Sequence, residues 1–132
     1  MTKLEKVLLY ASKQAGRCSP YIWSGQGQKV KSLTVCKLAK MENSGANAGR
    51  VMEFIYNHRS EIDKNSKIFD CSGFVICALQ YANVLPKDFD DTANGLMHSA
   101  YFAHVDFKDK QPGDLIFTMG AGDVFKIAQY LE

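Results

Sequence analysis

Histidine is scarce in this sequence of 132 residues: His58, His98 and His104 are all there is, and none follows position 104. Tryptophan occurs once, at Trp23, and proline three times. Neither sign of charge dominates, with 16 Lys plus Arg against 14 Asp plus Glu and a net charge of +2. That balance argues against nucleic acid or an anionic membrane as the partner. No apolar run approaches the roughly 18 residues of a membrane-crossing helix, so no membrane span is expected. Met1 to Val7 lacks the long apolar stretch and small-residue cleavage site of a secretion signal, which predicts synthesis in the cytoplasm.

Paired cysteine motifs are also lacking. Cys18, Cys36, Cys71 and Cys77 contain no C-x-x-C pair, and no histidine lies close to any of them in sequence. The common structural zinc spacings are therefore excluded, and neither a metal nor a cofactor is expected. Without a secretion signal, disulfides are not expected either. Four free thiols, mostly buried, are the resulting expectation.

What remains is a globular composition. Hydrophobic residues make up 46% and charged residues 23%, close to the average of folded domains. One domain over residues 1–132 is expected, with enough chain for a core that needs no staples. Thr2 and Glu5 form a capping box before Leu4, Val7, Leu8, Ala11 and Ala15 at helical spacing, and Gly16 ends the run. A loop or short strand follows over residues 18–27. Val30 to Leu38 is apolar enough for a helix or a strand, Asn43 to Asn47 reads as a turn, and a short helix fits residues 50–58. A core helix opens after Asp70 and ends at Asn83 and Pro86, with Phe74, Val75, Ala78, Leu79 and Ala82 on one face. Val105 and Phe107 alternate with polar residues, Gln111 to Asp114 reads as a turn, and strands are expected over 115–118 and 124–131 around a hairpin turn at 120–123. Helices first and strands last predict an α+β fold with an antiparallel sheet.

Cys71 stands apart from the other thiols because it opens the core helix. Free N–H groups and the positive end of the helix dipole favour a thiolate there. The backbone N–H groups of Cys71 and Ser72 are candidate oxyanion donors. Ser72 and Gly73 are small enough for a substrate backbone to come close. An ordinary buried cysteine at a helix start is the plainer reading of the same position.

Three local patterns carry a resemblance. Phe69-Asp70-Cys71-Ser72-Gly73-Phe74-Val75 resembles the nucleophile motif of the NlpC-type cell-wall cysteine peptidases. Pro20-Tyr21-Ile22-Trp23-Ser24-Gly25 is similar to the family's Tyr-Val-Trp-Gly-Gly element, and Gln111-Pro112-Gly113-Asp114-Leu115-Ile116-Phe117 to its Pro-Gly-Asp-Leu-Val-Phe strand. Residues 28–65 form a longer insert than the minimal pattern, which most resembles phage or prophage lysins. The resemblance implies a papain-like α+β fold, with N-terminal helices and a nucleophile-bearing core helix packed on an antiparallel sheet. It implies peptidoglycan stem peptide as substrate, cut at an amide bond next to D-glutamate at the bacterial cell wall. It makes Cys71 the nucleophile and Tyr21 the tyrosine whose hydroxyl lies beside it. Asp70 matches the motif acid and reads equally as a helix cap. Trp23 reads as core or as a groove wall, alongside Ser72 and Gly73.

The pattern breaks at the catalytic histidine. Where the family reads His-Val-Gly-Ile-Tyr-Leu-Gly, this chain reads Lys126-Ile127-Ala128-Gln129-Tyr130-Leu131-Glu132. An imidazole takes the thiol proton and returns one to the leaving amine, whereas free lysine, with a pKa near 10.4, stays charged at pH 7. Lys126 therefore reads either as a thiolate-stabilising charge or as a solvated strand residue. His98 and His104 are candidate substitute bases, and His58 is expected at the surface. The sheet is expected to fall short at its C-terminal edge, exposing residues 124–131 for homodimerisation or strand swapping. Weak or absent hydrolysis is the expectation, with a wall-fragment or protein-binding module and a cysteine acyl transferase as alternatives.

Overall fold

Thr2 starts the first helix as the capping box predicts: its hydroxyl accepts from the Glu5 N–H at 3.1 Å, and the Glu5 carboxylate accepts from the Thr2 N–H at 2.6 Å. This helix, α1, runs Lys3–Ala15. The structure, a computed structural model, describes residues 1–115. The chain divides into two units, residues 1–92 and 93–132, and each is taken by itself. Among the described residues the elements are five α-helices and one two-stranded antiparallel sheet, an α+β arrangement. The strands expected over 115–118 and 124–131, their hairpin turn and the proposed swapping edge lie outside the described residues, apart from Leu115, which is in neither strand nor helix.

In the first unit α1 packs on the core helix α4, Cys71–Tyr81. The buried side of α1 is not the expected leucine stripe. Leu4 and Leu8 are exposed, whereas Tyr10 and Gln14 are buried. The tyrosine sets the rotation of the helix: Tyr10 pairs with Tyr81 of α4 at 5.2 Å between ring centroids and reaches the Cys77 side chain. Helix α4 ends where Asn83 takes a left-handed φ of 57°. The Val84 N–H donates to the Leu79 carbonyl and the Asn83 N–H to the Gln80 carbonyl, the paired bonds of a Schellman cap. Helix α4 is apolar all round, and Ile76, outside the predicted face, is fully buried.

The sheet is small and was hidden in the sequence. Strand β1, Gln26–Lys29, pairs antiparallel with β2, Lys67–Phe69, with an irregularity between Gln26 and Lys29. Gly27 takes a φ of 85° inside that irregularity, a bulge position that favours glycine. Strand β2 buries both faces. Ile68 joins Ile22, Val30, Leu38, Ala48 and Ile62 in one apolar cluster. Phe69 joins Tyr10 and Ala78 in another, with Phe74 edge-on at 5.2 Å. Alternation along a strand sends neighbouring residues to opposite sides, so three residues separate two cores.

Residues 28–65 are part of that core and not an appendage. They form a 3-10 turn over Val30–Ser32, helix α2 over Val35–Glu42 and helix α3 over Gly45–Asn57. The expected turn at 43–47 shrinks to two residues. Asn43 takes a left-handed φ of 49°, and Ser44 at once caps α3 through Asn47 N. Helix α3 thus starts five residues before the expected one. In the second unit, α5 spans Ala93–Met97 with Leu96 buried. Residues 105–107 are not a strand: Val105 and Phe107 are exposed, and Phe107–Asp109 form a 3-10 turn. The turn at 111–114 is present, closed by the Asp114 N–H to the Gln111 carbonyl at 3.1 Å. No helix among the described residues is long and apolar enough to cross a membrane.

Leu38 lies in the insert yet is fully buried against Ile22 and Ile68. Leu38→Ala is expected to lower stability by about 2–5 kcal/mol, read by chemical denaturation. A peripheral insert would give less than about 1 kcal/mol.

Candidate active site

Asp70 organises the start of α4. Its backbone is extended, and its Oδ1 accepts from the Gly73 N–H at 2.6 Å and the Ser72 hydroxyl at 3.3 Å. Its carbonyl accepts from the Phe74 N–H at 3.1 Å. This is N-cap geometry, satisfying one of the donors that every helix start leaves free. Of the two roles read for Asp70, capping is the one its carboxylate performs here.

Cys71 is the first helical residue and is exposed. Tyr21 reaches it from the other motif. Its phenol lies near enough to the Cys71 thiol and backbone to interact with both. Burial, followed by the charges at Cys71 and Asp70 and the bond to the sulfur, pushes the Tyr21 phenol above its ordinary value. Its proton is therefore retained at neutral pH. The Ser72 N–H has no hydrogen-bond partner among the described residues, and the Tyr21 phenol lies beside Cys71. The candidate donors around this helix start are the Cys71 and Ser72 N–H groups and the Tyr21 hydroxyl.

The two motifs meet backbone to backbone. The Asp70 N–H donates to the Gly25 carbonyl at 2.8 Å, and the Ile22 N–H to the Phe69 carbonyl at 3.1 Å. Tyr21 bridges Phe69 in parallel register. Both Gly25 and Gly73 are buried in this seam. A Cβ on Gly73 would collide with the Gly25 carbonyl oxygen, and one on Gly25 would come within 2.8 Å of the Ile22 carbonyl oxygen and 2.9 Å of the Phe69 carbonyl carbon. This corrects the reading of Gly73 as open groove wall: the space beside its Cα is filled by Gly25. A glycine stands in each motif, but nothing in the sequence says that the two glycines face each other.

Trp23 is not core. It is 62% exposed, and its N–H donates to the Glu42 carboxylate of α2 at 2.9 Å. Glu42 thus ties the insert to the first motif, a role that sequence pattern did not mark. Ser24 beside it takes a left-handed φ of 67°, and the Gly25 N–H closes that turn on the Ile22 carbonyl at 2.8 Å. A left-handed φ is where glycine is least costly, so the serine is an unusual occupant.

The histidines separate by unit. His58 caps α3, with Nδ1 2.9 Å from the Phe54 carbonyl and its ring stacked on Phe54 at 4.0 Å. Inside residues 1–92 no hydrogen bond joins it to Cys71. His98 and His104 belong to the second unit, with ring centroids 5.7 Å apart. His98 Nδ1 lies 2.9 Å from the Asn94 carbonyl and His104 Nε2 2.8 Å from the Met97 carbonyl. Lys126 lies outside the described residues. No group of three or more His, Cys, Asp or Glu among the described residues could hold a metal ion.

Against the expectation of mostly buried thiols, two of the four are exposed and two half-buried, and only Cys18 and Cys77 differ from Cys71 in this. Cys36 is exposed. Burial, with a smaller contribution from Glu61, pushes the Cys18 thiol up. Burial also pushes Cys77 up, against the opposing pull of Lys67. No protein family, curated protein or solved structure matches the chain.

Two outcomes follow from this geometry. A raised thiol holds less thiolate at a given pH, and thiolate is the reactive form. Iodoacetamide at pH 7, followed by peptide mass mapping, is therefore expected to label Cys71 and Cys36 before Cys18 and Cys77, with the last two catching up as pH rises. Gly73→Ala would add about 1 kcal/mol of helix propensity in isolation. The collision with Gly25 reverses the sign, and a net loss of about 1–3 kcal/mol is expected in denaturant unfolding.

Proposed function

We propose that this chain is a thiol hydrolase of peptidoglycan stem peptides whose turnover is slow, with Cys71 as nucleophile. One observation carries the reading: an exposed cysteine at the first position of a capped helix, with the Tyr21 phenol beside it. The motif resemblance supplies the substrate class, and with it a papain-like fold and action at the cell wall. The chemistry follows in two steps. The Cys71 sulfur attacks the amide carbonyl carbon, and its proton leaves with the amine when the C–N bond breaks. Water then cleaves the thioester, releasing the acid and restoring the thiol. The Ser72 N–H and the protonated Tyr21 hydroxyl stabilise the oxyanion in both steps. Slow turnover rests on Lys126 at the position matching the family's histidine. An ammonium with an ordinary pKa near 10.4 is a poor proton shuttle at pH 7.

The test is mass spectrometry of a defined muropeptide incubated with the wild-type chain and with Cys71→Ala. Slow cleavage, or a thioester on Cys71, that disappears in the variant is expected. Removing one oxyanion donor by Tyr21→Phe is expected to slow acylation about 100-fold. Rapid wild-type turnover would refute the impairment. No cleavage and no adduct, with equal muropeptide affinity of wild type and Cys71→Ala, would refute the hydrolase reading in favour of a binding module.

A further inference from the structure

Two of the three histidines stand together in the second unit. The His98 and His104 ring centroids are 5.7 Å apart, with the ring planes inclined by 57°. Each ring is also anchored through one nitrogen to a backbone carbonyl. His98 Nδ1 lies 2.9 Å from the Asn94 carbonyl, and His104 Nε2 lies 2.8 Å from the Met97 carbonyl. A carbonyl oxygen only accepts, so those two nitrogens carry the proton of the neutral ring. The lone pairs are left on His98 Nε2 and His104 Nδ1. Metal-bound imidazoles are held in this way, the far N–H being donated to a carbonyl or carboxylate that fixes tautomer and ring orientation. The spacing fits as well. A zinc–nitrogen bond of roughly 2.0 Å puts each ring centre about 3.2 Å from the ion, so two rings on one tetrahedral ion stand about 5.2 Å apart. Both side chains are exposed, so an ion reaches them from solvent. His58 supplies the contrast. Its Nδ1 makes the same bond to the Phe54 carbonyl at 2.9 Å, yet it is the only histidine of residues 1–92.

We propose that His98 and His104 form a two-imidazole site for a divalent first-row transition ion such as zinc, bound through His98 Nε2 and His104 Nδ1 with water in the remaining positions. Imidazole suits zinc, copper and nickel, whereas calcium and magnesium take oxygen ligands. Among the described residues no third His, Cys, Asp or Glu joins the pair. The site is therefore of the open kind, accessible to water and small ligands, and not the closed four-ligand kind that serves structure alone. The ion ties the end of α5 to the chain seven residues on, where the Met97 carbonyl already meets His104. It also takes both free lone pairs, so an occupied pair accepts no proton and serves no general-base role. The proposal stands independently of the hydrolase reading.

The test uses the full-length chain, labelled with ¹⁵N and carrying Cys36→Ser and Cys71→Ala, which removes the two exposed thiols as competing zinc ligands. Zinc chloride is added at neutral pH, and the imidazole nitrogens are followed in long-range ¹H–¹⁵N spectra. Saturable changes at His98 Nε2 and His104 Nδ1 are expected at one zinc per chain, with His58 unmoved. A metal ligand matters at least as much as the groups that orient it, whose loss costs about 10–100-fold in affinity. His98→Ala and His104→Ala are therefore each expected to weaken zinc at least about tenfold in calorimetric titration, and His58→Ala to leave it unchanged. Calcium chloride is expected not to compete. Zinc-dependent changes on one ring alone, equal changes at His58, an affinity that survives either substitution, or no saturable binding would overturn the proposal. The spectra of the chain with all three histidines decide the matter even where a histidine variant fails to fold.

Discussion

The carbonyl oxygen of Gly25 occupies the place where residue 73 would carry its side chain, and the arrangement around Cys71 depends on that contact. Because Gly73 has no Cβ, the Tyr21–Gly25 segment settles directly on the first turn of α4. The same carbonyl accepts the Asp70 N–H, which leaves the Asp70 carboxylate free to cap the helix. Helix start, tyrosine and thiol are thus located by backbone contacts, whose geometry is stiffer than that of long side chains. Preorganisation of this kind is what an oxyanion site needs, since donors that must reorient lose much of their advantage.

The insert supplies what the site-bearing elements lack. Strand β2 has three residues and β1 four, too little sheet to stand on its own. Helices α2 and α3 bring Leu38 and Ala48 onto Ile22 and Ile68. Glu42 then fastens the Trp23 backbone. The polar contacts of the first motif are therefore coupled to the packing of a segment that lies outside all three motifs.

The sequence was most legible where local chemistry acts alone. The Thr2–Glu5 box, the helix opening at Asp70 and its end at Asn83 each follow from a few neighbouring residues, and each is found. Gln26-Gly27-Gln28-Lys29 carries no strand signal, because it is a strand only through pairing with β2. Leu4 and Leu8 suggested a buried stripe, but Tyr10 offered more area and a partner in Tyr81, so the helix turned toward it. At the site, the nearness of Tyr21 to Cys71 came from motif spelling. The facing glycines depend on a contact across about fifty residues, which no local pattern encodes.

Strand β2 runs straight into Cys71, with one residue, Asp70, between them. Ile68 belongs to one core and Phe69 to the other. A slip of one position along β1 would send each side chain into the wrong core and carry the thiol about one residue along its track. The two cores differ in partners and shape, so neither accepts the exchange. The address of the sulfur is in this way proofread by hydrophobic packing that never touches it.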